Sequence, residues 1–348
     1  MSLATLPTGE GAPLYIYILV FVGAAIVIAI FGVKMTHVAR KLAADTGMGE
    51  AIMGAVFIGA STSLSGIIAS ITAAHNGHAE MAVSNALGGI AAQTFFLAVA
   101  DMFYRKANLE HAAASAENLM MGAFLITLLA MQLIAFSIPE FQVYSVHPIS
   151  VIMIVSYLLG IHLLSKTHKM PMWLPRRTRD TRVEQGKNRR RKYHPNIQLW
   201  LIFTFYSLIV GLSGFVLSKT GIAIALETGL SEGLIGGVFT AVSTSLPELV
   251  IAVTAVRLKS LTLAVGDIIG GNAFDTLFIA VSDIAYREGS IYSGVSHIEQ
   301  FWLAVTVLMT GIILMGLLHR ERHGIANIGW ESFLVFLIYI GSLIYVVI

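Results

Sequence analysis

The chain has 348 residues, 56% hydrophobic and 12% charged, with a mean hydropathy of +0.78, a balance that excludes a soluble globular domain and indicates a polytopic membrane protein. It contains no cysteine, which removes disulfides, thiolate metal sites and thiol catalysis together. The formal net charge of +2 conceals an uneven distribution of its 22 Lys and Arg.

Apolar runs long enough to cross a hydrocarbon core of roughly 30 Å recur about ten times. They lie near 14–35, 50–74, 81–103, 118–138, 147–165, 199–218, 230–256, 261–283, 299–318 and 329–348. None shows period-2 alternation, so they read as helices rather than barrel strands. The first follows MSLATLPTGEGAP, which lacks a basic n-region and carries Glu10; it is expected to remain as a membrane helix rather than be cleaved as a leader.

Eleven of the 22 basic residues fall between Lys166 and Lys192, in the connector 166–198. The positive-inside rule makes this connector cytoplasmic. With ten helices, the loops carrying Lys34, Arg40 and Lys41, Arg105 and Lys106, Arg257 and Lys259, and Arg320 and Arg322 then also face inward, leaving only Lys219 and Arg287 outside. Both termini are expected on the extracytoplasmic side of a plasma (inner) membrane. The connector reads as a solvated topology determinant, with contact to anionic lipid headgroups as the second role such a run serves.

Shifting the sequence by 182 residues superposes its halves without a gap. Ser61, Thr62, Ser63 and Leu64 fall on Ser243, Thr244, Ser245 and Leu246; Gly88, Gly89, Thr94 and Asp101 fall on Gly270, Gly271, Thr276 and Asp283. A repeat of five spans is odd in number, so the second copy enters the membrane from the opposite side. The expected architecture is therefore all-α, with about ten transmembrane helices in two inverted repeats, 1–165 and 199–348, whose repeated cores lie near 50–103 and 230–283.

A charged side chain at the bilayer centre costs roughly 2.5–3.5 kcal/mol on insertion scales, so Glu248 and Asp275 are functional candidates. Thr244 and Ser245 precede Glu248 by one helical turn and place hydroxyls on its face. Pro247 deprives the Ser243 carbonyl of its helical donor, and Ser65-Gly66 loosens the helix at the equivalent point of the first repeat. Gly88, Gly89, Gly270 and Gly271 allow close backbone approach, and Asn272 offers an amide oxygen. Hard oxygen donors without nitrogen or sulfur suit Na+, Ca2+ or similar ions. Asp101 and Asp283 stand at span ends and read as interfacial or capping charges, and Asp267 as a helix-start residue near the cytoplasmic surface. His75, His78 and Glu80 read as an exposed turn, although their spacing also fits a transition metal. No Ser/His/Asp set, phosphate loop or metalloprotease motif argues for an enzyme, and nothing argues for a cofactor or nucleic acid.

STSLPEL at 243–249 and GGNAFD at 270–275 resemble the two signatures of the Ca2+/cation antiporter superfamily, specifically the membrane region of sodium/calcium exchangers with its two α-repeats. The resemblance implies alternating-access antiport of cations (Na+, Ca2+ or H+), with ligation by Thr62, Ser63, Thr244, Ser245, Glu248 and Asp275. The family usually has a second glutamate at Gly66 and an asparagine or aspartate at Gln93, so here glycine and a longer amide complete that half of the site. The serines common at Gly89 and Gly271 are also replaced. At roughly 4 Å and an effective dielectric near 20, one carboxylate attracts a monovalent ion by about 4 kcal/mol and a divalent one by about 8. Losing a glutamate therefore penalises Ca2+ about twice as much as Na+. A monovalent cation/proton exchanger and a non-transporting sensor on the same fold are the alternative readings. Single cysteines added to this cysteine-free chain test the topology: an impermeant thiol reagent is expected to label Asn76→Cys from outside intact cells and to spare Gly186→Cys.

Overall fold

A computed structural model describes residues 13–138, 141–176, 178, 181, 197–227, 238, 240–294, 296–322, 324 and 328–347. Among these residues regular structure is helical, apart from an isolated bridge between Val143 and Val146. Among the described residues seven helices are long and apolar enough to cross a membrane, or eight if a bent pair is counted as one span.

The first repeat begins with α1 (Leu14–Thr46), whose C-terminus closes on Gly47 at φ 67°. The bent pair follows as α2 (Glu50–Thr62) and α3 (Leu64–His75), meeting at 46°. Next come α4 (Ala79–Asp101), the short α5 (Leu109–Ala112), α6 (Ala116–Ser137) and α7 (Pro148–Lys169). The second repeat contains α8 (Ile197–Glu227), then α9 (Ala241–Thr244) and α10 (Leu246–Arg257), which form the described part of the expected 230–256 span. It ends with α11 (Leu261–Ala285), α12 (His297–His319) and α13 (Trp330–Val347). Most of the basic connector lies outside the described residues.

Helices α1 and α8 extend beyond the expected 14–35 and 199–218, because the residues that follow each apolar run remain helix-compatible. At 33 and 31 residues they are about 50 and 47 Å long, more than a hydrocarbon core requires. They pack along one another and expose apolar side chains such as Leu19, Ile26, Leu201 and Leu212. In contrast, 89% of the apolar window in each of α4 and α11 is buried within the protein, so these two helices form the core. Their composition explains it: both are rich in glycine and alanine and carry Gln93, Thr94, Asn272 and Asp275, which fit against protein better than lipid.

The contact between repeats is a glycine seam. A Cβ on Gly54 would lie 2.7 Å from both the Asp267 amide nitrogen and the Leu263 carbonyl, and one on Gly59 would lie 2.8 Å from Gly271 Cα. Gly270 meets Ala55 and Gly266 meets the Ala51 backbone in the same seam. Residues 53–58 run as a π-helical turn, which offsets the ladder just before the break at Ser63.

Span-end carboxylates hold the loops. Asp101, fully buried, accepts from the Leu109 and Gly329 amides at 2.7 and 3.0 Å. Asp283, also fully buried, accepts from the amides of His147 and Ile291 and from the hydroxyls of Ser150 and Ser290. They are caps facing protein rather than charges facing water. Glu110 accepts from Ser332 Oγ at 2.6 Å, and burial raises its carboxyl above the ordinary range. His75, His78 and Glu80 are exposed on a turn closed by Gly77 at φ 84°. Gly59→Ala is expected to destabilise the protein by about 1–3 kcal/mol, because the added methyl meets Gly271 backbone that has no rotamer with which to yield. Thermal unfolding in detergent, with Gly311→Ala, where nothing lies within 4 Å, as control, checks this.

Candidate functional site

The site forms where the two broken spans meet. Both chains leave the α-helix at the repeated serine, Ser63 with ψ −5° and Ser245 with φ −92° and ψ 0°. The preceding threonines hold the breaks alike: Thr62 Oγ1 donates to the carbonyls of Ile58 and Gly59, and Thr244 Oγ1 to those of Thr240 and Ala241. These partners are 182 residues apart in each case, so one local device is built twice. Pro247 occupies the first turn of α10, where a missing N–H leaves no helical bond unmade.

Across the break the repeats bond to each other. Ser63 Oγ donates to Asp275 Oδ1 at 2.5 Å, and Gln93 Nε2 donates to Asp275 Oδ2 at 2.6 Å. Gln93 Nε2 also lies 3.5 Å from Ser245 Oγ. Gln93 and Asp275 are themselves repeat equivalents, so the pseudo-twofold relation passes between their side chains. Glu248 is 1% exposed, and among the described residues neither of its carboxylate oxygens has a partner at hydrogen-bond geometry.

These groups surround a cavity of about 10 Å3, near the lower limit for a single water molecule. Glu248, Asp275, Gln93, Ser63, Thr244 and Ser245 line it, with Gly66 and Gly89 providing its glycine walls. Such a space is too small for a hydrated ion. Thr62, buried beside it, is not a lining residue. Ser65 turns toward Gly214, whose added Cβ would lie 2.8 Å from its hydroxyl. Gly88 is buried within α4, while Gly270 and Gly271 face the seam, Gly271 also lying near Gln93 Oε1. Asn272 does not reach the cavity, since its amide nitrogen donates to Thr94 Oγ1 at 2.9 Å.

Three residues escaped the sequence reading. Phe278 lines the cavity at Gly66: a Cβ there would lie 2.6 Å from Phe278 Cε2. Its place one turn beyond Asp275 was the available signal. Asn85 also lines the cavity and donates to the Gly66 carbonyl at 3.2 Å and Ser70 Oγ at 2.8 Å. With Gly89 and Gln93 it completes an i, i+4, i+8 stripe legible in the sequence. Asp267 is the seventh residue of α11 and fully buried, which corrects its reading as a surface helix start.

Apolar helices too long for a soluble core, arranged as two inverted repeats around an oxygen-lined cavity, define an integral membrane protein of exchanger-like architecture. The chain belongs to the sodium/calcium exchanger protein family, whose profile matches residues 16–165 and 197–348. The sodium/calcium exchanger MaX1 of Methanosarcina acetivorans is 28% identical over 142 residues, a match spanning 40% of this chain and 40% of that relative. In fold, the chain is similar to the sodium-calcium exchanger NCX_Mj. Against its structure soaked with 10 mM Na+ and zero Ca2+, the TM-score is 0.67 at 17% identity, covering 95% of this chain and 99% of the other. Against the form soaked with 2.5 mM Na+ and 0.1 mM Sr2+, the TM-score is 0.69 at 16% identity, with the same coverage.

The Phe278 ring changes what a glutamate at position 66 would do. Gly66→Glu alone is expected to lower thermal stability, because its side chain must displace the ring. Gly66→Glu with Phe278→Ala opens that space and is expected to raise Ca2+ affinity relative to Na+ by roughly tenfold or more, by the charge argument above. Ion-dependent thermal shifts of the single and double variants check both expectations.

Proposed function

We propose that this protein is a membrane cation antiporter of the sodium/calcium exchanger type, working by alternating access around the cavity between α2–α3, α4, α9–α10 and α11. The observation that carries this reading is Glu248: a carboxylate sealed from solvent, with both oxygens unpartnered, beside a cavity sized for one bare ion. Such a group is strongly disfavoured in a membrane interior unless a cation answers it. Ser63, Gln93, Thr244, Ser245 and Asp275 supply the remaining oxygens, and Asp275 is held in place by donors from the opposite repeat. The site carries no resident cofactor in this reading; the cations are cargo. The charge pattern supports a plasma or inner membrane location with both termini outside, the basic connector meeting the anionic inner leaflet.

One observation favours a second reading, a monovalent cation/proton exchanger. Phe278 fills the space beside Gly66, so the first repeat offers no carboxylate and no room for one. Divalent binding then relies on Glu248 and Asp275 alone.

Flux in proteoliposomes with Na+, Ca2+, K+ and H+ gradients tests the class and separates the ions, since a sensor binds without moving them. Glu248→Gln and Asp275→Asn are each expected to cut cation exchange by at least roughly tenfold while leaving the protein monodisperse, because each removes one unit of site charge. Normal exchange in Glu248→Gln would overturn the site.

A further inference from the structure

The exchange reading assigns no role to a third buried carboxylate. Asp267 is fully buried on α11, and neither of its oxygens has a hydrogen-bond partner. It lies two helical turns before Asp275 on α11, which packs against α10, the helix that carries Glu248. The internal repeat shows what its surroundings were built to hold. Its equivalent, Asn85, donates to the Gly66 carbonyl at 3.2 Å and to Ser70 Oγ at 2.8 Å. At the same offset of 182, these partners become the Glu248 carbonyl and Ala252. The second repeat has thus replaced a donor by two acceptors and removed the hydroxyl that met it. By this equivalence the carboxylate falls beside a carbonyl, and with no donor to it among the described residues the position calls for positive charge.

A proton alone would explain little. A neutral acid in this frame does what the amide of Asn85 already does, without the cost of a buried ionisable group. We propose that Asp267, with the main-chain carbonyl of Glu248, forms a separate binding point for a monovalent hard cation, Na+ in the first instance, two helical turns along α11 from Asp275. The charge decides the valence. One carboxylate neutralises a monovalent ion and leaves a divalent one with an uncompensated buried charge. Glu248 and Asp275 together still neutralise a divalent ion, so both classes can be bound at once. The site's position fits transport. The cavity reaches Asn85 but not Asp267, and inverted repeats exchange roles between the two faces of the membrane, so Asp267 is placed to line the vestibule that opens on the opposite, cytoplasmic side.

This inference rests on the exchange reading, and the experiment separates their failures. The purified full chain is titrated with NaCl against choline chloride at constant ionic strength. Bound 22Na+ is counted by equilibrium dialysis, and Ca2+ binding is measured in parallel. The proteins are wild type, Asp267→Asn, the exchange Asn85→Asp/Asp267→Asn, Ala252→Ser and Glu248→Gln. Asp267→Asn copies the first repeat and is expected to fold and to bind one Na+ fewer per chain, while Ca2+ is still bound because Glu248 and Asp275 remain. Ala252→Ser restores the missing hydroxyl, keeps every charge and is expected to weaken Na+ binding several-fold by competing for Asp267. It reports on the site even if Asp267→Asn does not fold.

An unchanged Na+ count in Asp267→Asn, or unchanged Na+ affinity in Ala252→Ser, overturns the proposal. So does an unchanged Na+ count combined with altered proton release, which would assign Asp267 to a proton instead. Loss of Ca2+ binding in Glu248→Gln with these results leaves the exchange reading standing. Normal Ca2+ binding in Glu248→Gln removes that reading and this one with it.

Discussion

Glu248 sets the terms for the rest of this structure. A carboxylate at the centre of a membrane protein, with neither oxygen satisfied, carries a desolvation penalty of several kcal/mol unless positive charge arrives. Among the described residues, no Lys or Arg lines the cavity to answer it. What the fold supplies instead is shape. The break at Ser245 places Glu248 in the first turn of α10, where the positive end of the helix dipole partly offsets its charge. The cavity beside it is no larger than a single water molecule requires.

Holding a broken helix at that depth requires support from its neighbours. Each break leaves backbone groups without helical partners, which lipid cannot satisfy. The repeat threonines turn their hydroxyls back onto their own helices, and the repeats bond across the site through Ser63, Gln93 and Asp275. The glycine seam from Gly54 to Gly271 lets α2 and α11 approach closely enough for those short bonds to form. Glycine is required there because the opposing atoms are backbone, which cannot move aside.

The frame of this arrangement was legible because its signals are periodic or paired. Twenty-residue apolar runs, one offset of 182 and a carboxylate inside an apolar run need no tertiary information. What escaped depended on depth and direction. Asp267 looked like a helix start because the apolar run before it is short, yet α11 begins at Leu261 and carries it two turns inward. Asn272 looked like a ligand from its motif, but helical phase turns it to Thr94. Gly66 read as a vacancy left by a missing glutamate. The structure fills that space with Phe278 from the other repeat, a contact across more than 200 residues that no local pattern announces.

Three pairs in which one repeat carries an acid and the other a neutral residue share one direction. Gly66 corresponds to Glu248, Gln93 to Asp275 and Asn85 to Asp267, so each of these acids lies on α10 or α11 and its neutral counterpart on the first repeat. When each repeat carries a carboxylate, closing one against the other brings like charges together, at a cost of about 4 kcal/mol for unit charges near 4 Å at an effective dielectric of 20. That repulsion must be cancelled by the ion before the repeats can meet. With all the acids on one repeat, the charges keep their spacing as the repeats move, and the opposing surface offers only dipoles: the Ser63 hydroxyl, the Gln93 amide and the Phe278-backed glycine. Across the repeat interface Asp275 thus meets a hydroxyl and an amide rather than a second carboxylate.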